Sequence, residues 1–251
     1  MVSFYKLAIR MFIVLFIVSK GLYAVEPDAN ATTEATGKLY MGLGINGYSN
    51  GENNDHIKGV PLYYDNSEWN DTRNAVTFFI GYNVLKSLAI ELEYNQGMNN
   101  TGNEYDHDTT YVPGVGMVSI VGTSKSKYKS YSAFYNMVGK HTFANKHTPF
   151  VKVGVGYSNS KNTVDGTYTT YTVTTSYSYS FNAKKVENGI SYKVGFGYEY
   201  AITRNHSFLI DYNYIITPDT ETTFSDSNGQ SYVEKKNENY SKLGFTYKFT
   251  F

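Results

Sequence analysis

The chain has 251 residues, and Lys+Arg 22 against Asp+Glu 22 leave no formal net charge, which excludes a charge-driven nucleic-acid binder with a surplus of Lys and Arg on one face. Aromatic residues reach 17%, chiefly Tyr 26 and Phe 15, yet a mean hydropathy of −0.40 is too polar for a bundle of membrane helices, each needing about 20 apolar residues. With Cys 0 there is neither a disulfide framework nor a thiolate metal site.

Lys6 and Arg10 precede the apolar run Met11 to Val18, and Ala24 offers a small residue for cleavage, the layout of an export signal over residues 1–24. The run is too short to span a bilayer and is bracketed by Arg10 and Lys20. Residues 25–37 (VEPDANATTEATG) form a polar lead without a period. From residue 38 to 251 the dominant period is two, the mark of strands with one apolar and one polar face.

Eight such segments follow in order. Leu39, Met41, Leu43 and Ile45 alternate with Tyr40, Gly42, Gly44 and Asn46; Val76, Phe78, Ile80 and Tyr82 with Thr77, Phe79, Gly81 and Asn83. Leu88, Ile90, Leu92 and Tyr94 oppose Ala89, Glu91, Glu93 and Asn95, and a fourth strand over about Tyr128 to Val138 sets Tyr131, Ala133, Tyr135 and Met137 against Ser132, Phe134 and Asn136. Val151, Val153, Val155 and Tyr157 face away from Lys152, Gly154, Gly156 and Ser158. Ile190 to Tyr198 oppose Ser191 to Glu199, Phe208 to Tyr214 oppose Leu209 to Asn213, and Leu243, Phe245, Tyr247, Phe249 and Phe251 oppose Lys242 to Thr250.

The connections alternate in length. Short turns fall at Asn83 to Ser87, Gly139 to Thr148 and Ala201 to His206; long loops occupy Gly47 to Arg73, Gln96 to Lys127, Ser158 to Gly189 and Thr217 to Asn239. Each long loop far exceeds the about 2–5 residues usual in a hairpin. An all-β, eight-stranded antiparallel transmembrane barrel with four long extracellular loops has this form; ten strands is the alternative, should the hairpins of the second and third loops enter the membrane band. Alternation alone also allows a soluble eight-stranded ligand carrier, whose apolar set would line a pocket. Against it stand the Tyr and Phe at strand ends of the apolar face, the opposed charges mixed with Gly on the polar face, and the aromatic last residue.

The segments Phe79 to Tyr94 (FIGYNVLKSLAIELEY), Pro149 to Tyr157 (PFVKVGVGY) and Leu243 to Phe251 (LGFTYKFTF) resemble the small OmpA/OmpX-like outer-membrane barrels that include opacity proteins and surface antigens. The resemblance implies a bacterial outer-membrane location, a periplasmic lead over residues 25–37, and membrane lipid as surroundings. Tyr247, Phe249 and Phe251 are similar to the C-terminal signal that the barrel-assembly machinery of that family reads.

By parity Glu91, Glu93, Glu199 and Asp211 share the lumen with Lys152, Lys193, Lys242 and Lys248. Buried charges are costly unless paired, so an interior ion-pair network is expected to plug the barrel, with the lumen glycines making room for the long Lys and Glu side chains. Catalysis needs a positioned base and partner. Of the five histidines, His141, His147 and His206 fall in the expected short turns, which leaves His56 beside Asp55, and His107 between Asp106 and Asp108. Neighbours on a loop rarely converge on one centre, so no enzyme, metal or cofactor site is expected. Gly166 to Phe181 (GTYTTYTVTTSYSYSF) suits a two-sided polar hairpin above the membrane, and Tyr111 to Val121 does likewise with Pro113 at an edge. Tyr- and Ser-rich surfaces favour protein contacts. The expected role is adhesive or antigenic, through loops that meet host or cell-surface molecules; a small-solute porin and a structural envelope protein are the competing readings.

Overall fold

A computed structural model describes residues 37–50, 73–98, 100–143, 146–227, 229, 231–237 and 239–251. The expected export signal, the expected periplasmic lead up to residue 36, most of the first long loop, Asp55 and His56 lie outside the described residues. Eleven antiparallel strands are described: β1 Leu39–Asn50, β2 Arg73–Leu85, β3 Leu88–Gly97, β4 Asn100–Val112, β5 Gly116–Lys140, β6 His147–Tyr171, β7 Ser176–Ala201, β8 His206–Ile216, β9 Asp219–Asp226, β10 Ser231–Asn237 and β11 Tyr240–Thr250. Eight of them close into a ring, in the order β1, β2, β3, β5, β6, β7, β8 and β11, with β11 returning to β1.

Alternation assigns the two faces of that ring. Outward residues are apolar and mostly bare, with Leu92 59%, Val151 61% and Phe196 62% exposed, while inward Glu93, Lys152 and Lys193 are each 3% exposed; Leu43 on β1 and Tyr247 and Phe249 on β11 are the buried members of the outward set. Water would favour the reverse arrangement, so an apolar solvent around the wall accounts for it. Aromatic residues band both rims of this wall: Tyr94, Tyr131, Tyr157, Tyr192 and Tyr214 toward the long loops, and Tyr82, Tyr198, Tyr200 and Phe208 toward the short turns. At the short-turn end the ladder is finished by hydrogen bonds from Gly37 N to Asn83 O (2.8 Å) and from Phe251 N to Leu39 O (3.0 Å).

Three strands far outrun the wall. β5 and β6 have 25 residues each and β7 has 26, whereas about 9–11 cross a membrane. Beyond the ring their upper halves are joined by β4 on β5, β9 on β7 and β10 on β9, so the same sheet continues upward as a six-stranded extension in the order β4, β5, β6, β7, β9, β10. The expected second, third and fourth loops are therefore largely strand, and their hairpins stay out of the ring. Pro113 also sits elsewhere than expected: it occupies the turn between β4 and β5, not a strand edge. Val115 N bonds Val112 O at 3.0 Å and Gly114 has φ +85°. Proline then glycine at the two central positions suits a type II turn, which needs a positive φ at the second.

Inward-facing residues sort into layers along the axis. An apolar floor of Tyr40, Phe79, Ala89, Val138, Phe150 and Leu209 lies toward the short turns. Its rings pack over glycines: a Cβ on Gly42 would come within 2.2 Å of the Phe79 ring, and one on Gly81 within 2.3 Å of Tyr40. This corrects the expectation that lumen glycines clear space for Lys and Glu; they clear it mainly for aromatic rings and for amides such as Asn136 and Asn213.

Candidate functional site: the lumen and the sheet above it

Glu93, on β3, is the hub of the lumen. Its Oε2 lies 2.6 Å from Lys193 Nζ on β7 and 3.5 Å from Lys152 Nζ on β6, and its Oε1 lies 2.8 Å from Lys242 Nζ on β11. The amides of Asn95 and Asn136 each donate to it at 3.1 Å. One carboxylate thus ties together strands from opposite sides of the ring. Lys152 also pairs with Glu91 at 2.8 Å, and Glu91 accepts from the Tyr40 hydroxyl at 2.9 Å. A second cluster sits nearer the short turns, where Lys248 meets Glu199 at 2.5 Å and Ser207 donates to the same carboxylate at 2.6 Å.

Asp211 stands apart from both. It accepts from the Asn213 amide at 2.6 Å and forms no ion pair among the described residues. Its position is lined by Gly244, where a Cβ would come within 2.2 Å of Asp211 Oδ1. Two features escaped sequence reasoning. Lys140 Nζ donates to Asn83 at 2.5 Å, at the foot of the lumen, and Lys193 lies 4.6 Å from the Phe134 ring centre. Both positions carry the lumen parity of their strands, which was the available signal; the partners were not readable from it.

Above the ionic layer the lining becomes polar and uncharged. Asn46, Thr77 and Asn95 are joined by short side-chain hydrogen bonds, and Asn95 donates to Ser132 at 3.2 Å. Between this layer and the mouth lies a cavity of about 40 Å³ lined by residues including Tyr48, Tyr128, Asn162 and Tyr240 and, where charge returns, Lys185 and Glu187. That is room for a few waters at most.

The upper sheet has its own core. Ile120, Val164, Tyr168, Phe181, Ala183 and Phe224 are buried together on the face that continues the lumen. Tyr179, Tyr168, Phe181 and Phe224 stack in sequence at centroid distances of 5.7, 5.4 and 6.1 Å. Gly122 lies under Tyr168 and Gly166 under Phe181, so the rings rest against backbone. Burial and the nearby Asp226 carboxylate hold the Tyr179 hydroxyl above its ordinary pKa. Gly166 to Phe181 was expected to be polar on both sides. One side is instead apolar, because Tyr168, Tyr179 and Phe181 share it with residues from β5 and β9.

His107 Nε2 and Ser119 Oγ share a hydrogen bond of 3.1 Å. Strand alternation within β4 sends His107 to the opposite face from Asp108. Among the described residues no group of three His, Cys, Asp or Glu side chains is placed to hold a metal ion. Tyr247 and Phe249 have the outward parity of β11 but are only 9% and 4% exposed, with the His206 and Phe208 rings against Tyr247 and the His206 ring against Phe249; Phe251 follows the strand and is 42% exposed. Phe249 and Phe251 meet edge to face at 5.1 Å, and His206 lies 5.2 Å from the Phe249 ring.

No curated protein sequence matches the chain. Among solved structures it is similar to Neisserial surface protein A (12% identity, TM-score 0.46, covering 85% of this chain and 97% of that one). It is also similar to Ail, the attachment invasion locus protein of Yersinia pestis (12%, TM-score 0.42, 86% and 99%), and to OprG of Pseudomonas aeruginosa (13%, TM-score 0.43, 85% and 96%). Residues 21–249 match the family described as "Outer membrane protein beta-barrel domain". With that match spanning nearly the whole chain, and an eight-stranded ring that is charged inside and apolar outside, the protein belongs to the outer-membrane β-barrel family and lies in the bacterial outer membrane.

Proposed function

We propose that this protein is a surface adhesin or antigen: a plugged barrel that anchors a six-stranded sheet outside the cell, where the sheet meets host or cell-surface molecules. The observation that carries this reading is the sheet formed by β4, β5, β6, β7, β9 and β10, which has its own buried core beyond the ring. A loop needs no such core to connect two strands. Tyr105, Tyr111, Tyr171 and Tyr177 stand exposed on it, and exposed tyrosine supplies contact area at low entropic cost. Ail has been solved in complex with the heparin analogue sucrose octasulfate; that ligand belongs to Ail. The family's small porins suggest solute passage as the second reading, supported here only by the charged lumen.

Deleting the upper parts of the β4–β5 and β6–β7 hairpins, with all eight ring strands kept, tests the proposal. Binding of the protein to host cells or matrix should fall sharply while the barrel still folds. Unchanged binding by a folded, trimmed barrel would remove the adhesion reading. We also propose that Tyr247, Phe249 and Phe251 serve barrel assembly. Deleting Phe251 should then lower the amount of folded protein in the outer membrane, and equal amounts would contradict it.

A further inference from the structure

Just above the outer aromatic rim, the outward face of the strands changes character. Tyr131 on β5 and Tyr157 on β6 belong to the rim. Two and four residues further up, Lys129 and Lys161 stand directly opposite one another in the β5·β6 register. In the next row Thr163 faces Lys127 across β5·β6 and Lys184 across β6·β7. Four lysines, Lys127, Lys129, Lys161 and Lys184, thus surround one threonine on three adjacent strands. All four are exposed, and among the described residues none forms an ion pair. Asp165, in the row above, is opposite Lys125 and takes a hydrogen bond from Asn182.

Like charges directly opposite on neighbouring strands destabilise a sheet. Their clustering here is therefore unfavourable unless an anion sits among them. Position names its source. At about 3.3 Å per residue, shortened by strand tilt, Lys129 and Lys161 lie on the order of 5–10 Å above the rim tyrosines, which is the depth of the headgroup layer. Their stems extend from the same face that contacts lipid, and lysine heads reach along such a boundary to polar groups. The outer leaflet of this membrane is a glycolipid, lipopolysaccharide, whose phosphates are anions at that height. A soluble polyanion would meet these lysines only from the side, between the wall and the surrounding leaflet.

We propose that Lys127, Lys129, Lys161 and Lys184, with the Thr163 hydroxyl, form a phosphate-binding site for an outer-leaflet lipopolysaccharide molecule held against the wall at β5, β6 and β7. Such a lipid would relieve the repulsion between Lys129 and Lys161 and set the depth at which the barrel sits, leaving the upper sheet free above the leaflet.

The test uses refolded full-length protein, the variant K127Q/K129Q/K161Q/K184Q, and K146Q at a short turn as control, each checked for folding by its heat-modifiable gel mobility. Probes are lipopolysaccharide, the same lipid after enzymatic dephosphorylation, inorganic phosphate and heparin, each titrated in zwitterionic lipid. Wild type and K146Q should bind lipopolysaccharide in a salt-sensitive way and lose that affinity on dephosphorylation. The quadruple variant should bind it several hundredfold more weakly, at about fivefold for each of the four lysines. In zwitterionic lipid alone it should be at least as stable as wild type. Equal binding by variant and wild type would overturn the proposal, as would indifference to dephosphorylation. Equally tight binding of inorganic phosphate would assign the site to free anions. An effect of the variant confined to heparin would assign the lysines to a soluble polyanion. Either result overturns the lipid site.

Discussion

At the scale of single residues, Glu93 carries more of the lumen than any other side chain described. Three ammonium groups surround its two oxygens, and all four groups are buried. Replacing one partner of a buried pair leaves uncompensated charge, a loss of about 3–5 kcal/mol. The substitution Glu93→Gln should therefore lower the unfolding free energy by about that much in urea titrations of refolded barrel. Asp211→Asn should cost about 1 kcal/mol, since its described partner is a neutral amide. Similar effects for the two would contradict the hub assignment. Alternation along each strand was enough to place these charges in the lumen. It could not say that, among the described residues, Glu93 gathers three lysines while Asp211 pairs with none, because partners across a barrel depend on strand stagger, which a period of two does not encode.

At the scale of elements, the stack of Tyr179, Tyr168, Phe181 and Phe224 joins β6, β7 and β9 into a unit separate from the ring. Phe181 lies in the middle of that stack and over Gly166. Truncating a buried Phe costs about 3–5 kcal/mol, and here the loss should stay local. Phe181→Ala should speed amide exchange in the upper halves of β6, β7 and β9 and leave the ring as protected as in wild type. Exchange that rises equally in the ring would show one cooperative unit and no separate sheet. The eight ring strands were legible because each has a lipid face and a lumen face of opposite chemistry. Above the ring, the hairpins within Gly166 to Phe181 and Tyr111 to Val121 were legible, while the rest of β4 and all of β9 and β10 were not. β4 (NTGNEYDHDTTYV) and β10 (SYVEKKN) are rich in residues that disfavour strands, and they are held by pairing to β5 and β9. The two are also the sheet's open edges, where charged residues discourage edge-to-edge association. The apolar side of the β6–β7 hairpin was missed for a related reason. Tyr reads as either polar or apolar, and Ile120 and Phe224 complete the cluster from distant parts of the chain.

At the scale of the whole molecule, the barrel, its plug and the sheet above form a sequence of layers along one axis. An apolar floor lies toward the periplasm, then the ion pairs, then a layer of amides and hydroxyls, then a small cavity that Lys185 and Glu187 help to line, then the apolar core of the outer sheet. With eight strands the interior is only wide enough for side chains to fill it, and here rings, paired charges and amides do so. The chain's investment beyond the membrane then fits a role in contact better than one in transport. Recording from refolded protein in a planar lipid bilayer tests this most directly. A closed lumen predicts no steady single-channel openings for wild type. Stable, ohmic openings whose ion selectivity shifts on Lys193→Gln or Glu93→Gln would contradict the plugged anchor and favour a small-solute porin.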